Sequence, residues 1–271
     1  MRTMQQTLSL LVIIVMGTII AGCGVKSPQR QAPPETFSEV PPEIIQESSL
    51  PEPKINILFV VDNSGSMKPY QEKMAANIQK FAEVFFENTR VDYRIGVVPV
   101  YDSKYLNDTT VYATSGLRKM NALGELVTLK DGAGQPIVDQ VFITRDTPNP
   151  KEVLKRTVLI GTQWGPEAEE SFSPVLAITD QTRNVEKNKG FYQKDAYLAV
   201  IFLTDADDVT LGLSADEFYH QLVKLKDGDR TKVLIAAALP NMRSLGQECT
   251  PDGRGPMQAF PALLKISGGI F

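Results

Sequence analysis

Two stretches of the chain are apolar at almost every position over the length of one strand. The first holds Ile55, Ile57, Leu58, Phe59, Val60 and Val61; the second runs over residues 196–204 and includes Val200, Ile201, Phe202 and Leu203. Runs of this kind suit strands buried on both faces, in a parallel sheet covered by helices. Residues 93–100 and 233–239 predict two further strands. Between them the spacing turns helical. Met74, Ile78, Phe81 and Phe85 mark one buried face over residues 70–88, the pattern of a helix packed on a sheet. A helix is predicted over 151–158. Another reaches about residue 184, with Phe172, Val175, Leu176 and Ile178 inward, Ser173 as its cap and Pro174 in its first turn. Ser214 and Glu217 form a capping box opening a helix that stops at Gly228. Met257, Phe260, Leu263 and Leu264 predict a short last helix, and residues 268–271 look like the start of a final strand. Residues 126–143 read as a hairpin around a Gly-rich turn. The polar stretch 101–124 has no clear pattern.

The amino-terminal residues stand apart from this alternation. Arg2 precedes an apolar segment over residues 8–20, and Ile20, Ala21 and Gly22 lead into Cys23. That segment is short for a spanning helix, which needs ~20 apolar residues, and fits a signal peptide over residues 1–22 better than an uncleaved anchor. A Cys directly after small residues resembles the bacterial lipobox, which implies cleavage before Cys23 and lipidation of that residue. Gly24 follows it; the absence of an Asp there favours the outer membrane over the inner. Residues 23–53 then carry Pro28, Pro33, Pro34, Pro41, Pro42, Pro51 and Pro53 among Gln, Glu and Ser. This composition builds no core. It reads as a semi-extended tether of ~3.1 Å per residue.

A length of 271 residues allows one domain, 54–271, beyond these appendages. The formal charge of −4 and the lack of a Lys/Arg block argue against a nucleic-acid partner. Two cysteines, Cys23 and Cys249, do not make a disulfide scaffold.

The candidate chemistry lies where the first strand ends. Asp62, Ser64 and Ser66 place a carboxylate and two hydroxyls at alternate positions, with Gly65 permitting a tight turn. Ligands bind at the carboxyl ends of strands in open α/β sheets, and hard oxygen donors suit Mg²⁺ or a similar ion such as Mn²⁺ or Ca²⁺. The same residue types also make ordinary turns and caps. The second apolar strand ends in Asp205.

Asp-x-Ser-x-Ser after one apolar strand, paired with a second strand ending in Asp, resembles the von Willebrand factor A (VWA) domain and its metal-ion-dependent adhesion site. The resemblance implies a three-layer α-β-α, doubly wound, Rossmann-like sheet, mostly parallel with one antiparallel edge strand. It implies that Ser64 and Ser66 bind the ion through hydroxyls, that Asp62 and Asp205 act through bound water, and that one position stays open to a partner protein's carboxylate. A second loop in the family supplies a Thr. Here Thr162 is the only Thr in that loop and lies early; Glu167 or Glu169 are alternatives, as is a loop giving no direct ligand. Trp164 would sit at the metal rim as a partner contact, or else pack under its own loop. Asp207 and Asp208 read as solvated loop charges, and His220 as a surface or packing residue. The family normally closes with a further strand and helix, so the chain is expected to be truncated or unusually short, leaving Cys249 without an evident partner. The function implied is adhesion by a lipid-anchored envelope protein, not catalysis. A metal-free interaction domain and a Mg²⁺-dependent phosphohydrolase are the alternatives; the second lacks the acidic residue expected at position 64.

Overall fold

The two apolar runs lie side by side at the centre of one sheet. A computed structural model of the chain describes residues 52–88, 90–100, 124–162, 168–180, 186–239 and 257–270, all within the unit Glu52–Phe271. Strand β1 spans Lys54–Val61, β2 Asp92–Pro99, β3 Phe142–Ile143, β4 Tyr197–Leu203 and β5 Val233–Ala238. Their order across the five-stranded sheet is β3-β2-β1-β4-β5. β1 is parallel to both β2 and β4, with Ile57 level with Ile95 on one side and Ala199 on the other. β5 continues the parallel set, and only the edge strand β3 is antiparallel.

Helices cover both faces. Helix α1 spans Lys68–Asn88, α2 Pro150–Thr157, α3 Phe172–Thr179, α4 Ala215–Leu225 and α5 Ala259–Ser267. Successive β1 side chains point to opposite faces. Phe59 meets Phe81 of α1 edge-on at 5.9 Å, and Phe81 stacks on Phe85. Leu58 and Val60 face the other way, into a core shared with Phe172, Phe218 and Phe260 from α3, α4 and α5. There Phe172 and Phe218 stack with centroids 4.3 Å apart, and Phe202 of β4 packs edge-on against Phe260. This double burial is why β1 reads as unbroken apolar sequence. The three-layer, mostly parallel architecture with one antiparallel edge strand is the one the family resemblance implies.

Asn56 is the fully buried polar residue of β1. Its amide nitrogen donates to the Phe191 carbonyl at 2.8 Å, and its oxygen accepts the Gln193 N–H at 3.0 Å. Lys226, only 2% exposed, closes the same loop from outside. Its ammonium donates to the Gln193 and Lys194 carbonyls at 2.9 and 3.3 Å and lies 4.4 Å from the centre of the Tyr192 ring.

Three local expectations need correction. Residues 126–143 form no extended hairpin. One bridge joins Lys130 to Pro136; Pro136 has no N–H to extend a ladder, and Phe142–Ile143 pair with β2 instead. Helix α3 ends at Thr179, earlier than expected, and Ser173 does not cap it; the cap comes from a distant residue described below. The predicted final strand reduces to a parallel bridge between Ala236 and Ile270. Among the described residues, no helix is long and apolar enough to cross a membrane.

Candidate metal centre

β1 and β4 are adjacent and parallel, so the residues that follow them emerge together. The Asp62 N–H donates to the Leu203 carbonyl at 2.9 Å, which sets the two strand ends level. β1 then turns into a short 3-10 segment, Gly65–Met67, anchored by buried Met67. The turn is built by a side chain: one Asp62 carboxylate oxygen accepts the Ser64 N–H at 2.8 Å. Gly65 is not needed for left-handed backbone, since its φ is not positive, and a Cβ there would meet nothing within 4 Å.

Four of the anticipated side chains form one connected group. Ser64 Oγ lies 3.0 Å from Ser66 Oγ, and Ser66 Oγ donates to Asp205 Oδ1 at 2.9 Å. The other Asp62 oxygen accepts the Thr204 hydroxyl at 2.7 Å. Asp62, Ser64, Thr204 and Asp205 are all buried, whereas Ser66 is partly open to solvent. Burial pushes the Asp62 carboxyl above the usual carboxylate range, opposed by hydrogen bonds from Ser64, Thr204 and the Asp205 backbone. Among the described residues no cationic side chain contributes to that balance, so a bound dication would relieve it.

The donor set fits a hard ion. It consists of carboxylate and hydroxyl oxygens, and among the described residues no cluster of three or more His, Cys, Asp or Glu offers a competing site. Thr204 is the residue that sequence reading missed. It is the one hydroxyl directly before Asp205, at the end of an otherwise apolar strand.

The second loop reaches the same place. Gly161 is held at the end of β1 through the side chain of Gln71, and Thr162, half-buried, follows it. Trp164 and Glu167 lie outside the described residues, as do Cys23 and Cys249. Glu169 is buried, and its carbonyl accepts the Val209 N–H at 3.2 Å, joining this loop to the one leaving β4.

Asp207 and Asp208 are not solvated charges. Asp207 accepts the N–H groups of Gln258, Ala259 and Phe260 at 2.6 to 3.1 Å and so caps α5. Asp208 accepts those of Ser171 and Phe172 at 2.7 and 3.0 Å and caps α3. Carboxylates suit these helix starts because the first N–H groups have no partner within the helix. Burial lifts Asp208 to about 6, against those same hydrogen bonds. His220 is exposed on α4 beside Asp216.

Residues 45–135 match the family model described as TssR protein VWA domain. Over that segment the chain is similar to VWA domains. The match covers Asp62, Ser64 and Ser66 and stops before Asp205. Among solved structures, the chain is similar to proximal thread matrix protein 1 of the mussel byssus in two structures. A second crystal form shows 15% identity and a TM-score of 0.38. One described as having a zinc-occupied MIDAS motif shows 15% identity and a TM-score of 0.40. Each likeness covers 69% of this chain and 38% of the mussel chain. The pilus adhesin RrgA of Streptococcus pneumoniae is more distant, at 11% identity and a TM-score of 0.25, over 68% of this chain and 25% of the adhesin. The chain thus spans well under half the length of these structures. No curated protein matches it.

Proposed function

We propose that this protein is a lipid-anchored component of the bacterial cell envelope whose VWA domain binds a protein partner through a divalent cation. The observation that carries this reading is the linked oxygen group of Asp62, Ser64, Ser66 and Asp205 at the ends of two central strands. Ser64 and Ser66 offer hydroxyls to Mg²⁺, Mn²⁺ or Ca²⁺, with Thr162 as a further donor from the second loop. Asp62 and Asp205 balance the charge, and Thr204 holds the Asp62 carboxylate in orientation. When bound, the cation supplies an electrophilic position for a carboxylate on the partner. Val209 and Leu211, 44% and 83% exposed on the loop leaving Asp205, supply apolar contact area beside it, and Trp164 supplies a rim contact. The domain acts as a binding module, not an enzyme, with no nucleic acid among its partners. Cys23 carries the lipid, residues 24–53 form the tether, and the outer membrane is the site of attachment.

Calorimetric titration of Mg²⁺, Mn²⁺ and Ca²⁺ into the full chain in detergent tests the centre. Saturable binding, lost in the Ser64→Ala/Ser66→Ala double variant, is the expected result. A wild type that takes up none of the three would leave a metal-free interaction domain as the better reading. Incorporation of labelled fatty acid, abolished by Cys23→Ala, tests the anchor.

A further inference from the structure

Gln71 is a polar residue on the buried face of α1. Met67, Met74, Ala75 and Ile78 share that face as core residues, and Gln71 itself is only 5% exposed. A primary amide so placed needs partners, because an unmatched buried donor costs more than a bond returns. Gln71 finds them on two distant segments. Its nitrogen donates to the backbone carbonyls of Asp62 at 3.2 Å and Gly161 at 3.0 Å, and its oxygen accepts the Gly161 N–H at 3.1 Å. Both backbone groups of Gly161 are thus taken by one side chain. Gly161 has a φ of +88°, and a Cβ there would meet nothing within 4 Å. Glycine is therefore required by backbone conformation, not by space.

Two segments bearing anticipated cation donors meet at this amide, which α1 carries between them. Asp62 precedes the Ser64–Ser66 turn, α1 continues that turn, and Gly161 precedes Thr162. A methionine would fill the same core volume without joining them.

We propose that Gln71 is a positioning residue of the cation site. It locks the Gly161 peptide against the end of β1 and so sets where Thr162 stands relative to Asp62 and Ser64. This rests on the cation reading above. Residues that orient metal ligands from behind typically change affinity ~10–100-fold when replaced.

The test uses the full chain in detergent, comparing wild type with Gln71→Met, Gly161→Ala and Gln79→Met. The last removes an amide from the exposed side of the same helix, where Gln79 bonds to Glu83. The readouts are hydrogen exchange at the Gly161 amide without added metal, calorimetric Mn²⁺ affinity, and the thermal midpoint. Gln71→Met is expected to expose the Gly161 amide and weaken Mn²⁺ roughly 10–100-fold. Gly161→Ala should weaken Mn²⁺ while Gln71 is intact, and Gln79→Met should change neither readout. A purely structural Gln71 would lower the thermal midpoint and leave Mn²⁺ affinity at the wild-type value, which overturns the proposal. Should Gln71→Met fail to fold, an unchanged Mn²⁺ affinity in Gly161→Ala overturns it equally. A wild type that takes up no Mn²⁺ refutes the cation reading and this proposal with it; a wild type that binds, beside an equally tight Gln71→Met, refutes the positioning role alone.

Discussion

A buried polar side chain lies near each end of β1, Asn56 within the strand and Asp62 directly after it, and the two are satisfied in opposite ways. At the amino end, Asn56 meets its complement: its N–H faces the Phe191 carbonyl and its oxygen the Gln193 N–H. The Lys226 ammonium then covers two carbonyls of the same loop. At the carboxyl end, Asp62 is as deeply buried but acidic, and the donors around it are neutral: the Ser64 N–H and the Thr204 hydroxyl. One end is a closed match of dipoles that holds a loop in place. The other gathers acidic oxygens on hydroxyl donors, the arrangement a cation completes. Burial of a polar group therefore does not by itself mark a site; the character of its partners does.

Asp62→Asn should separate the ends most sharply. It should weaken divalent-cation affinity by about 100-fold, the upper end of the range for groups that act on an ion from behind its direct ligands. It should also raise the thermal midpoint of the ion-free protein, since a buried charge is replaced by an amide. The amide oxygen can still accept from Ser64, and the Thr204 hydroxyl can turn to the Ala206 carbonyl 3.1 Å away. Calorimetry and a melt without metal measure both; a lower melting point would break the comparison.

Asn56→Ala should do the reverse. It orphans the Phe191 carbonyl and the Gln193 N–H, each costing ~1–3 kcal/mol. Urea unfolding should show a loss of about 2–5 kcal/mol, with cation affinity unchanged.

Lys226 sharpens the amino end by pH. Burial, aided by repulsion from Lys232, lowers its pKa to about 8 from 10.5. A base with a depressed folded pKa contributes stability that is complete above the unfolded value and lost as pH falls through the folded one. Wild type should therefore lose stability relative to Lys226→Met between pH 10.5 and about 8, read as the difference between their urea midpoints.

The smallest effect belongs to Asp208, raised to about 6 from 3.8 by burial. Its sign is opposite: the contribution is complete below 3.8 and lost as pH rises through about 6. Asp208→Asn keeps an acceptor for the Ser171 and Phe172 N–H groups, so it should abolish this slope between pH 4 and 6.5 while leaving the cation titration unchanged.

The central sheet and the two strand-end motifs were legible because they are local. Unbroken apolar runs report burial on both faces, and alternating oxygen side chains report a turn with donors. The partners of Asp207 and Asp208 were not legible. They lie 51–53 and 36–37 residues away in the chain, and nothing local tells a capping carboxylate from a solvated one. Gln71 could have been found. It falls on the same helical stripe as Met67, Met74 and Ile78, and a lone amide on an apolar stripe signals a tertiary hydrogen bond. The hairpin reading failed because Phe142 and Ile143 of its second strand pair with β2, a tertiary choice that no local pattern reports.

The position of β1 also has a mechanical consequence. Lys54 opens the strand and Asp62 directly follows its last residue. Tension entering at the amino end and leaving through the Ser64–Ser66 turn is therefore directed along a single strand. β1 lies at the middle of the sheet, hydrogen-bonded in parallel to β2 and β4 along nearly its whole length. Such a load pulls those bonds in shear, many at once, instead of unzipping them one by one from an edge.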